Sequence, residues 1–251
     1  MPTPNNPQQW NTPSSNLQLH PGEIHVWQAP LVVPVSILQQ LNQHLSEKEA
    51  TRAASFHFTK DRNRWIVAHG VLRLLLARYT GADPHLIDFD VNAYGKPSLA
   101  SPVLPIPLQF NLSHSRDLVL YAFTYNSQVG IDVEYKRADI DYDALARVSF
   151  SSNEQAILHS LPNHLKHDAF YNCWTRKEAY IKARGKGIYI PLDQFDVSFL
   201  PGEPAALLDS REDPQEPTRW TLQELIPAPD YAAALAVESS DWLISCWQWQ
   251  P

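Results

Sequence analysis

The sequence predicts an α+β fold in which two helix-and-strand segments follow each other along the chain. Trp65 lies near the start of one long amphipathic segment that leads to the letters F-D-V at 89–91, and Trp174 lies in a second that leads to the same letters at 195–197. Two similar halves that meet near Ser127 would produce this repeat. Two unrelated helix-to-strand connections would produce it as well, so the repeat alone leaves both alternatives open.

Two long helices are the clearest predicted elements. The first covers Arg62 to Tyr79, where apolar side chains recur at three- and four-residue spacing. The second covers about His167 to Arg184 and carries the densest polar cluster of the sequence. Gly81 and Gly185 follow these helices, and glycine at such a position commonly ends a helix in the left-handed conformation.

Strands are predicted between and after the helices. The apolar runs at 118–124 and 129–134 are joined by a short polar turn, which predicts a hairpin. Residues 231–237 and 242–249 are further candidate strands. Four prolines between Pro97 and Pro107 predict an irregular connection there.

The composition is that of a folded protein and excludes several functional classes. Hydrophobic residues make up 44% and aromatic residues 11%, which is enough to form a core. The net charge of −7 argues against general binding to nucleic acid, because such binding depends on clustered Lys and Arg. Cys173 and Cys246 lack the spacing of a metal site, so both are predicted to be reduced thiols.

The hydropathy pattern predicts a cytoplasmic protein without a membrane segment. No stretch approaches the roughly 18 consecutive apolar residues of a membrane helix, and the first residues lack the basic and apolar regions of a signal peptide. Residues 1–20 are rich in Pro, Asn, Gln and Ser, which predicts a flexible N-terminal tail.

Three carboxylates form the main candidate site. Asp132 and Glu134 are two residues apart on a predicted strand, so both side chains project from one face. Glu178 lies at the edge of the apolar stripe of the second helix, where a charge needs a partner. Lys182, one turn further on, is one candidate partner of Glu178. Asp132 and Glu134 by themselves could also be part of a solvated polar face. Three carboxylates with few histidines favour a hard cation such as Mg²⁺ and a phosphorylated substrate.

Other segments carry groups suited to phosphate oxygens. The run Asn111 to Ser115 places hydroxyl and imidazole groups at the entrance of a predicted strand. Lys96 and Lys186 each lie on a glycine-containing turn. Each of these signals is weak alone, because Gly-Lys turns are common on protein surfaces.

Taken in order, these segments resemble one known family. The motifs are Y-G-K-P at 94–97, F-N-L-S-H-S at 110–115, V-G-I-D-V-E at 129–134 and W-T-R-K-E-A-Y-I-K-A-R-G-K-G at 174–187. Their order and spacing resemble the 4'-phosphopantetheinyl transferase superfamily, of the larger, surfactin-synthetase-activating (Sfp-like) type. The resemblance extends from about Ser46 to Val197, and the last two motifs are highly specific.

The resemblance implies a pseudo-dimer of two similar α+β halves that enclose one active site. Residues 21–126 would form the N-terminal half, with the contacts to the coenzyme A nucleotide. Residues 127–251 would form the C-terminal half, with the metal site and the catalytic helix. Because one chain would then complete its own site, we expect a monomer.

Roles for individual residues also follow from the resemblance. Asp132, Glu134 and Glu178 would hold Mg²⁺, and Glu178 would act as the base, directly or through a metal-bound water. Lys182 would meet the transferred phosphate and His114 would bind the diphosphate of coenzyme A, so both are predicted catalytic and binding groups.

Further residues match family positions at the nucleotide end. Lys96, Ser113 and Arg64 correspond to positions that contact the nucleotide or its phosphates. Arg52 falls where a basic residue reaches the 3'-phosphate. Glu49 departs from the family pattern, since another basic residue is often found at its position.

The implied activity is transfer of 4'-phosphopantetheine from coenzyme A to a serine of an apo carrier protein, with Mg²⁺ as cofactor. The products would be the holo carrier protein and adenosine 3',5'-bisphosphate. The expected partners are acyl carrier proteins or carrier domains of polyketide and peptide synthases.

Two other functions fit part of the sequence. Another Mg²⁺-dependent phosphate enzyme, such as a nuclease or phosphohydrolase, would use the carboxylates but leaves S-H-S and Y-G-K-P unexplained. A non-catalytic module that binds coenzyme A or a carrier protein is the second alternative. Retention of every candidate metal ligand argues against that module.

Overall fold

The computed structural model describes residues 9–100, 105–239 and 241–251, apart from one side chain at position 188. The strands are β1 (Glu23–Pro30), β2 (Phe89–Val91), β3 (Pro97–Leu99), β4 (Leu108–Ser115), β5 (Leu118–Tyr125), β6 (Val129–Tyr135), β7 (Phe195–Val197), β8 (Leu207–Ser210), β9 (Trp220–Leu225), β10 (Tyr231–Glu238) and β11 (Leu243–Gln248). The helices are α1 (Val35–Gln43), α2 (Glu47–Ala54), α3 (Thr59–Thr80), α4 (Tyr142–Ser149), α5 (Ser152–Ser160), α6 (Asn163–Arg184) and α7 (Glu216–Arg219). Short 3-10 turns lie at Pro84–Leu86, Gly187–Tyr189 and Leu192–Gln194.

Two larger sheets form the centre of the molecule. One has the strand order β11-β1-β5-β4, in which β11 runs parallel to β1 and the other pairs are antiparallel. The other has the order β6-β10-β9 and is antiparallel throughout. A shared apolar cluster, with Val26 and Leu120 from the first sheet and Ile131 and Leu235 from the second, packs the sheets against each other.

The sheets also meet along β4 and β6, where side chains make the hydrogen bonds. Asn111 Oδ1 accepts the N–H of Ile131 at 2.9 Å, and Ser115 Oγ accepts the N–H of Tyr135 at 3.1 Å. The predicted strands at 118–124 and 129–134 are therefore confirmed, but the predicted hairpin is wrong. In the described part of the chain β5 pairs with β1 and β4, while β6 pairs with β10.

The sequence repeat corresponds to a structural repeat. Helices α3 and α6 each contain 22 residues and end at Gly81 and Gly185, whose φ angles are 71° and 68°. Each helix is followed by an F-D-V strand, β2 or β7, in a separate two-stranded sheet. Both helices begin a few residues before the predicted starts. The fold is α+β with two similar halves, as predicted.

The ends of the chain differ from the prediction. Residues 9–20 are not a loose tail, because Asn11 exchanges backbone hydrogen bonds with Cys246 and Gln248 and Leu19 is buried. Residues 1–8 lie outside the described part. Strand β11, which falls in the predicted C-terminal half 127–251, belongs to the N-terminal sheet because its backbone pairs with β1.

The proline-rich segment is only partly irregular. Residues 97–99 form β3, which pairs with β2, whereas 101–104 lie outside the described residues. No helix of the described residues is long and apolar enough to cross a membrane.

Candidate active site

A glycine allows the strand and the helix of the site to approach closely. A Cβ on Gly130 would lie 2.2 Å from Ala179 O and 2.2 Å from Ala183 N, so only glycine allows α6 to pack this tightly on β6. Since alternate residues of a strand share a face, Asp132 and Glu134 lie on the same side of β6 as Gly130. The two carboxylates predicted to share a face therefore point toward α6.

Asp132 makes the central contacts. Its side chain is buried, and Lys182 Nζ lies 2.5 Å from Asp132 Oδ1. Ser113 donates a hydrogen bond of 2.9 Å to the same oxygen and accepts one of 2.9 Å from Lys182. Asp132 Oδ2 is buried and has no hydrogen-bond partner among the described residues. Half of this carboxylate is thus left without the polar contact that a buried oxygen needs.

Two glutamates add negative charge beside Asp132. Burial, together with the charges of Asp132 and Glu134, raises the pKa of Glu178 to about 7, although the charge of Lys182 opposes this rise. Burial and the Asp132 charge also raise the pKa of Glu134, although Ser115 donates a 2.8 Å hydrogen bond to it. The three carboxylates thus repel one another in a poorly solvated place, which is an environment that a bound cation would relieve.

The three predicted metal ligands affect one another electrostatically, but they do not have the arrangement of a coordination shell. Within the described ranges, no group of three His, Cys, Asp or Glu side chains has the arrangement of a metal centre. The cation that contacts Asp132 in this structure is the Lys182 ammonium. The donor set of carboxylate oxygens nevertheless suits Mg²⁺, and the unpartnered Asp132 Oδ2 leaves one oxygen available for it.

His114 of the N-terminal half lies within the electrostatic influence of three basic residues. Burial lowers the pKa of His114 on β4, and the neighbouring charges of Lys182, His69 and Arg64 lower it further. Charges from both halves of the molecule therefore act on His114. A neutral imidazole there can donate one hydrogen bond to a phosphate oxygen.

His69 was not predicted from the sequence. Its ring stacks on Trp65, with 3.9 Å between centroids, and its Nδ1 lies 3.5 Å from Glu49 Oε1. The signal that could have found it is its position one helical turn after Trp65 and five residues after Arg64.

Glu49 is occupied by contacts within its own half. Its carboxylate lies 2.5 Å from Nε of the buried Arg73 and accepts the backbone N–H of Ser46 at 2.9 Å. Burial would raise the pKa of Glu49, but hydrogen bonds from His69, Ser46 and Arg73 lower it to about 2. The acidic residue at this position, where the family often has a basic one, is thus paired with basic groups of its own half.

The other predicted nucleotide contacts are only partly assembled. Arg64 Nη2 lies 2.5 Å from Asp117 Oδ1, and Arg64 Nε is buried without a partner among the described residues. Arg52 is exposed, with its guanidinium 5.4 Å from the centroid of the Phe56 ring. No hydrogen bond or ion pair in the described residues connects Arg52 to His114.

The Lys96 ammonium makes its contacts inside the protein. Its Nζ donates to Ala183 O at 2.9 Å, Val129 O at 3.1 Å and Gln128 Oε1 at 3.2 Å. Three acceptors use all three N–H donors of an ammonium group, so none is left for a phosphate in this structure. In this structure the Lys96 ammonium thus has an internal role, and the contact of this position with the nucleotide stays a prediction.

A groove of about 550 Å³ opens beside Glu134, between β6, α4 and α6. Its walls are both apolar and charged, and they include Ser115, Arg116, Glu134, Tyr135, Arg137, Asp139, Ile140, Leu145, Phe170, Tyr171 and Trp174. The guanidinium of Arg116 lies 3.5 Å from the centroid of the Tyr135 ring at the edge of this groove. An extended substrate arm could thus lie next to the carboxylates while its apolar parts contact Phe170 and Trp174.

Comparison with known proteins places these motifs in one family. A family model of the 4'-phosphopantetheinyl transferase superfamily matches residues 128–236, and a model of the 4'-phosphopantetheinyl transferase N-terminal region matches residues 34–126. The boundary between the two matches lies between β5 and β6.

Three relatives agree with these matches. The 4'-phosphopantetheinyl transferase HetI from Nostoc sp. is 39% identical over 96% of this chain and 98% of its own length. The 4'-phosphopantetheinyl transferase Sfp from Bacillus subtilis is 33% identical over 61% of this chain and 66% of its own. A putative 4'-phosphopantetheinyl transferase from Synechocystis sp. is 29% identical over 78% of this chain and 77% of its own.

Proposed function

This chain belongs to the 4'-phosphopantetheinyl transferase superfamily and is an Sfp-like enzyme that transfers phosphopantetheine to carrier proteins, and we propose that coenzyme A is the donor in a Mg²⁺-dependent reaction. One observation carries the proposal. Asp132 and Lys182 of the C-terminal half meet Ser113 of the N-terminal half, and the charges of Lys182, His69 and Arg64 act on His114, the chain neighbour of Ser113. A diphosphate with a divalent cation is a substrate that needs both carboxylates and basic groups.

Asp132, Glu134 and Glu178 are the proposed ligands of Mg²⁺. The unpartnered Asp132 Oδ2 and the raised pKa values of both glutamates support this assignment, because a cation would satisfy the first and reduce the repulsion behind the second. When bound, the ion would neutralise negative charge on the oxygens of the transferred phosphate.

The diphosphate of coenzyme A is proposed to lie among the positive groups. Lys182 and Arg64 would donate charged hydrogen bonds to its oxygens, and neutral His114 would donate one more. Ser113 orients Lys182 through the hydrogen bond between them. We retain Arg52 as the proposed contact of the 3'-phosphate, since it is exposed on α2, where its reach is not limited by an ion pair.

The chemical step is an in-line displacement at the β-phosphorus. The serine oxygen of the carrier protein forms a bond to this phosphorus while the bond to the bridging oxygen breaks, which releases adenosine 3',5'-bisphosphate. Glu178 is the proposed acceptor of the serine proton. An ionised carboxylate held beside the attacking hydroxyl can accept its proton, directly or through a metal-bound water.

The groove beside Glu134 is the proposed site of the pantetheine arm. It begins at Ser115 and Glu134 and continues past the apolar side chains of Phe170 and Trp174. The amide and thiol parts of the arm would meet the polar groups on its walls. Because both halves of one chain supply the site, a monomer is proposed to be active.

The decisive experiment is intact-mass measurement of an apo acyl or peptidyl carrier protein incubated with this enzyme, coenzyme A and Mg²⁺. We expect a gain equal to the mass of the phosphopantetheine arm, and no gain when EDTA is present. A gain that survives complete chelation would contradict the metal site. Release of phosphate from coenzyme A without any carrier product would instead favour a phosphohydrolase.

A further inference from the structure

The turn at residues 92–97 of the N-terminal half holds the end of the helix that carries Glu178 and Lys182. Asn92 Nδ2 donates a 2.7 Å hydrogen bond to Gly185 O, and Lys96 Nζ donates one of 2.9 Å to Ala183 O. Ala183 O is one of the last carbonyl groups of α6, which have no partner within a helix, and Gly185 directly follows the helix. The C-terminus of α6 is therefore capped by side chains from the opposite half.

Hydrogen bonds within the turn hold these side chains in place. Asn92 Oδ1 accepts the backbone N–H groups of Tyr94 and Lys96, each at 2.9 Å, and the backbone of Asn92 donates to Lys96 O at 3.0 Å. Gly95 has a φ of 89°, a conformation that favours glycine. One asparagine side chain thus both closes the turn and binds α6.

Lys96 connects three segments at once. Besides Ala183 O on α6, its ammonium binds Val129 O at the start of β6 and Gln128 Oε1 just before it. Strand β6 carries Asp132 three residues after Val129, and α6 carries Lys182 directly before Ala183. Lys96 therefore joins the two elements whose carboxylates and ammonium form the site. Its positive charge also lies where the helix dipole favours a cation.

Close packing leaves little freedom at this junction. A Cβ on Gly185 would lie 3.0 Å from Lys96 Cδ and 3.3 Å from Asn92 Nδ2. On the outer side of the turn, the exposed rings of Tyr94 and Tyr189 pair with 5.1 Å between centroids. The turn and the end of α6 thus contact each other through hydrogen bonds, aliphatic groups and rings.

We propose that Lys96 and Asn92 are positioning residues of the transfer reaction, which hold α6 against β6 so that Glu178 and Lys182 face Asp132. The inference rests on the proposed function. In this proposal the lysine of the Y-G-K-P motif fixes the position of α6 and does not bind the nucleotide. A shift of α6 would separate the reacting groups, and misplacement by about 1 Å can cost roughly 100-fold in rate.

The test compares Lys96→Met with Lys60→Met, a change of an exposed lysine on α3. Three quantities are measured: kcat for carrier modification, Kd for coenzyme A with Mg²⁺ by calorimetry, and amide hydrogen exchange at residues 183–187. For Lys96→Met we expect kcat to fall about tenfold or more, exchange to become faster, and Kd to change by less than about twofold. Lys60→Met should match the wild type in all three.

Asn92→Ala provides a second variant that removes a single side-chain cap on a residue exposed to solvent. It should show the same pattern with a smaller loss of kcat. A Kd raised about tenfold or more with kcat and exchange unchanged would overturn the inference in favour of nucleotide binding. Unchanged values of all three quantities would overturn it as well.

Failure of the proposed function would look different. A wild-type enzyme that modifies no carrier protein would contradict the proposed reaction, and the exchange measurement would still test the contact of Lys96 with α6. Wild-type transfer activity together with slow exchange in Lys96→Met would reject only the positioning role.

Discussion

The two halves of the molecule share the same arrangement of a long helix and a short strand but supply different side chains to the site. Each has a 22-residue helix that ends at a left-handed glycine and leads to an F-D-V strand. Helix α3 contributes Arg64 and His69, whereas α6 contributes Glu178 and β6 contributes two further carboxylates. A repeated scaffold has thus been given different side chains on its two inner faces. The site therefore draws on both halves, because Asp132 and Lys182 come from one half and Ser113, which contacts both of them, comes from the other.

The largest expected effect concerns the carboxylates of the C-terminal half. Glu178→Gln should lower transfer at least about 100-fold, because it removes a metal ligand and the base. The same change should raise the melting temperature of the metal-free protein, since burial and the neighbouring Asp132 charge disfavour the ionised Glu178. Carrier modification and thermal unfolding in EDTA measure the two effects. Full activity at saturating Mg²⁺ would refute both proposed roles.

Matched glycine variants compare the helix packing of the two halves. Gly130→Ala should cost about 3 kcal/mol or more and abolish most transfer, because the new Cβ would meet the backbone of Ala179 and Ala183 at 2.2 Å. Gly70→Ala should cost about 1 to 2 kcal/mol, since its nearest neighbours are atoms of Leu41 at 2.8 Å. Urea unfolding and transfer assays at a temperature where both variants are folded measure the difference. Equal losses of activity would mean that the position of α6 on β6 is not critical.

The proposed contacts with the coenzyme A diphosphate can be tested separately from the proposed metal ligands. Arg64→Met should raise KM for coenzyme A about tenfold while the Mg²⁺ concentration for half-maximal activity stays the same. Arg62→Met is the control, because Arg62 is exposed on the same helix. A shift in the Mg²⁺ requirement of Arg64→Met would show that Arg64 and the metal ligands do not act separately.

The smallest effect concerns a buried neutral histidine of the N-terminal half. Tyr79 OH accepts the indole N–H of Trp27 at 2.7 Å and lies 2.9 Å from His25 Nδ1. Burial lowers the pKa of His25 to about 4. Between pH 6.5 and 4 the unfolded chain therefore binds a proton that the folded protein does not, so stability falls as the pH drops.

This group should cost about 1 kcal/mol of unfolding free energy between pH 7 and pH 5.5. His25→Gln should remove that part of the decrease, as measured by urea unfolding at both pH values. The C-terminal half instead buries the ion pair between Lys177 and Glu154, 2.7 Å apart. An unchanged decrease in His25→Gln would mean that other groups cause it.

Local patterns in the sequence determined the parts of the protein that depend on neighbouring residues. Apolar spacing and a following glycine located α3 and α6, and alternation along β6 placed Asp132 and Glu134 on one face. The motif letters also identified Ser113 and Lys182, which both contact Asp132, and His114, whose pKa the charge of Lys182 lowers. These features follow from helix and strand periodicity and from capping, which act over a few residues.

Only the tertiary structure decided which edges and faces meet. Strands β5 and β6 are adjacent in sequence but pair in different sheets, and β11 returns to β1 from the end of the chain. His69 acts on His114 because α3 packs on the first sheet, where the Tyr121 hydroxyl donates a hydrogen bond to Ala68 O, and Lys96 contacts α6 because its turn reaches the other half. These contacts join residues far apart in sequence, and their free energy depends on the burial and hydrogen bonding of the complete fold, which short sequence patterns do not specify.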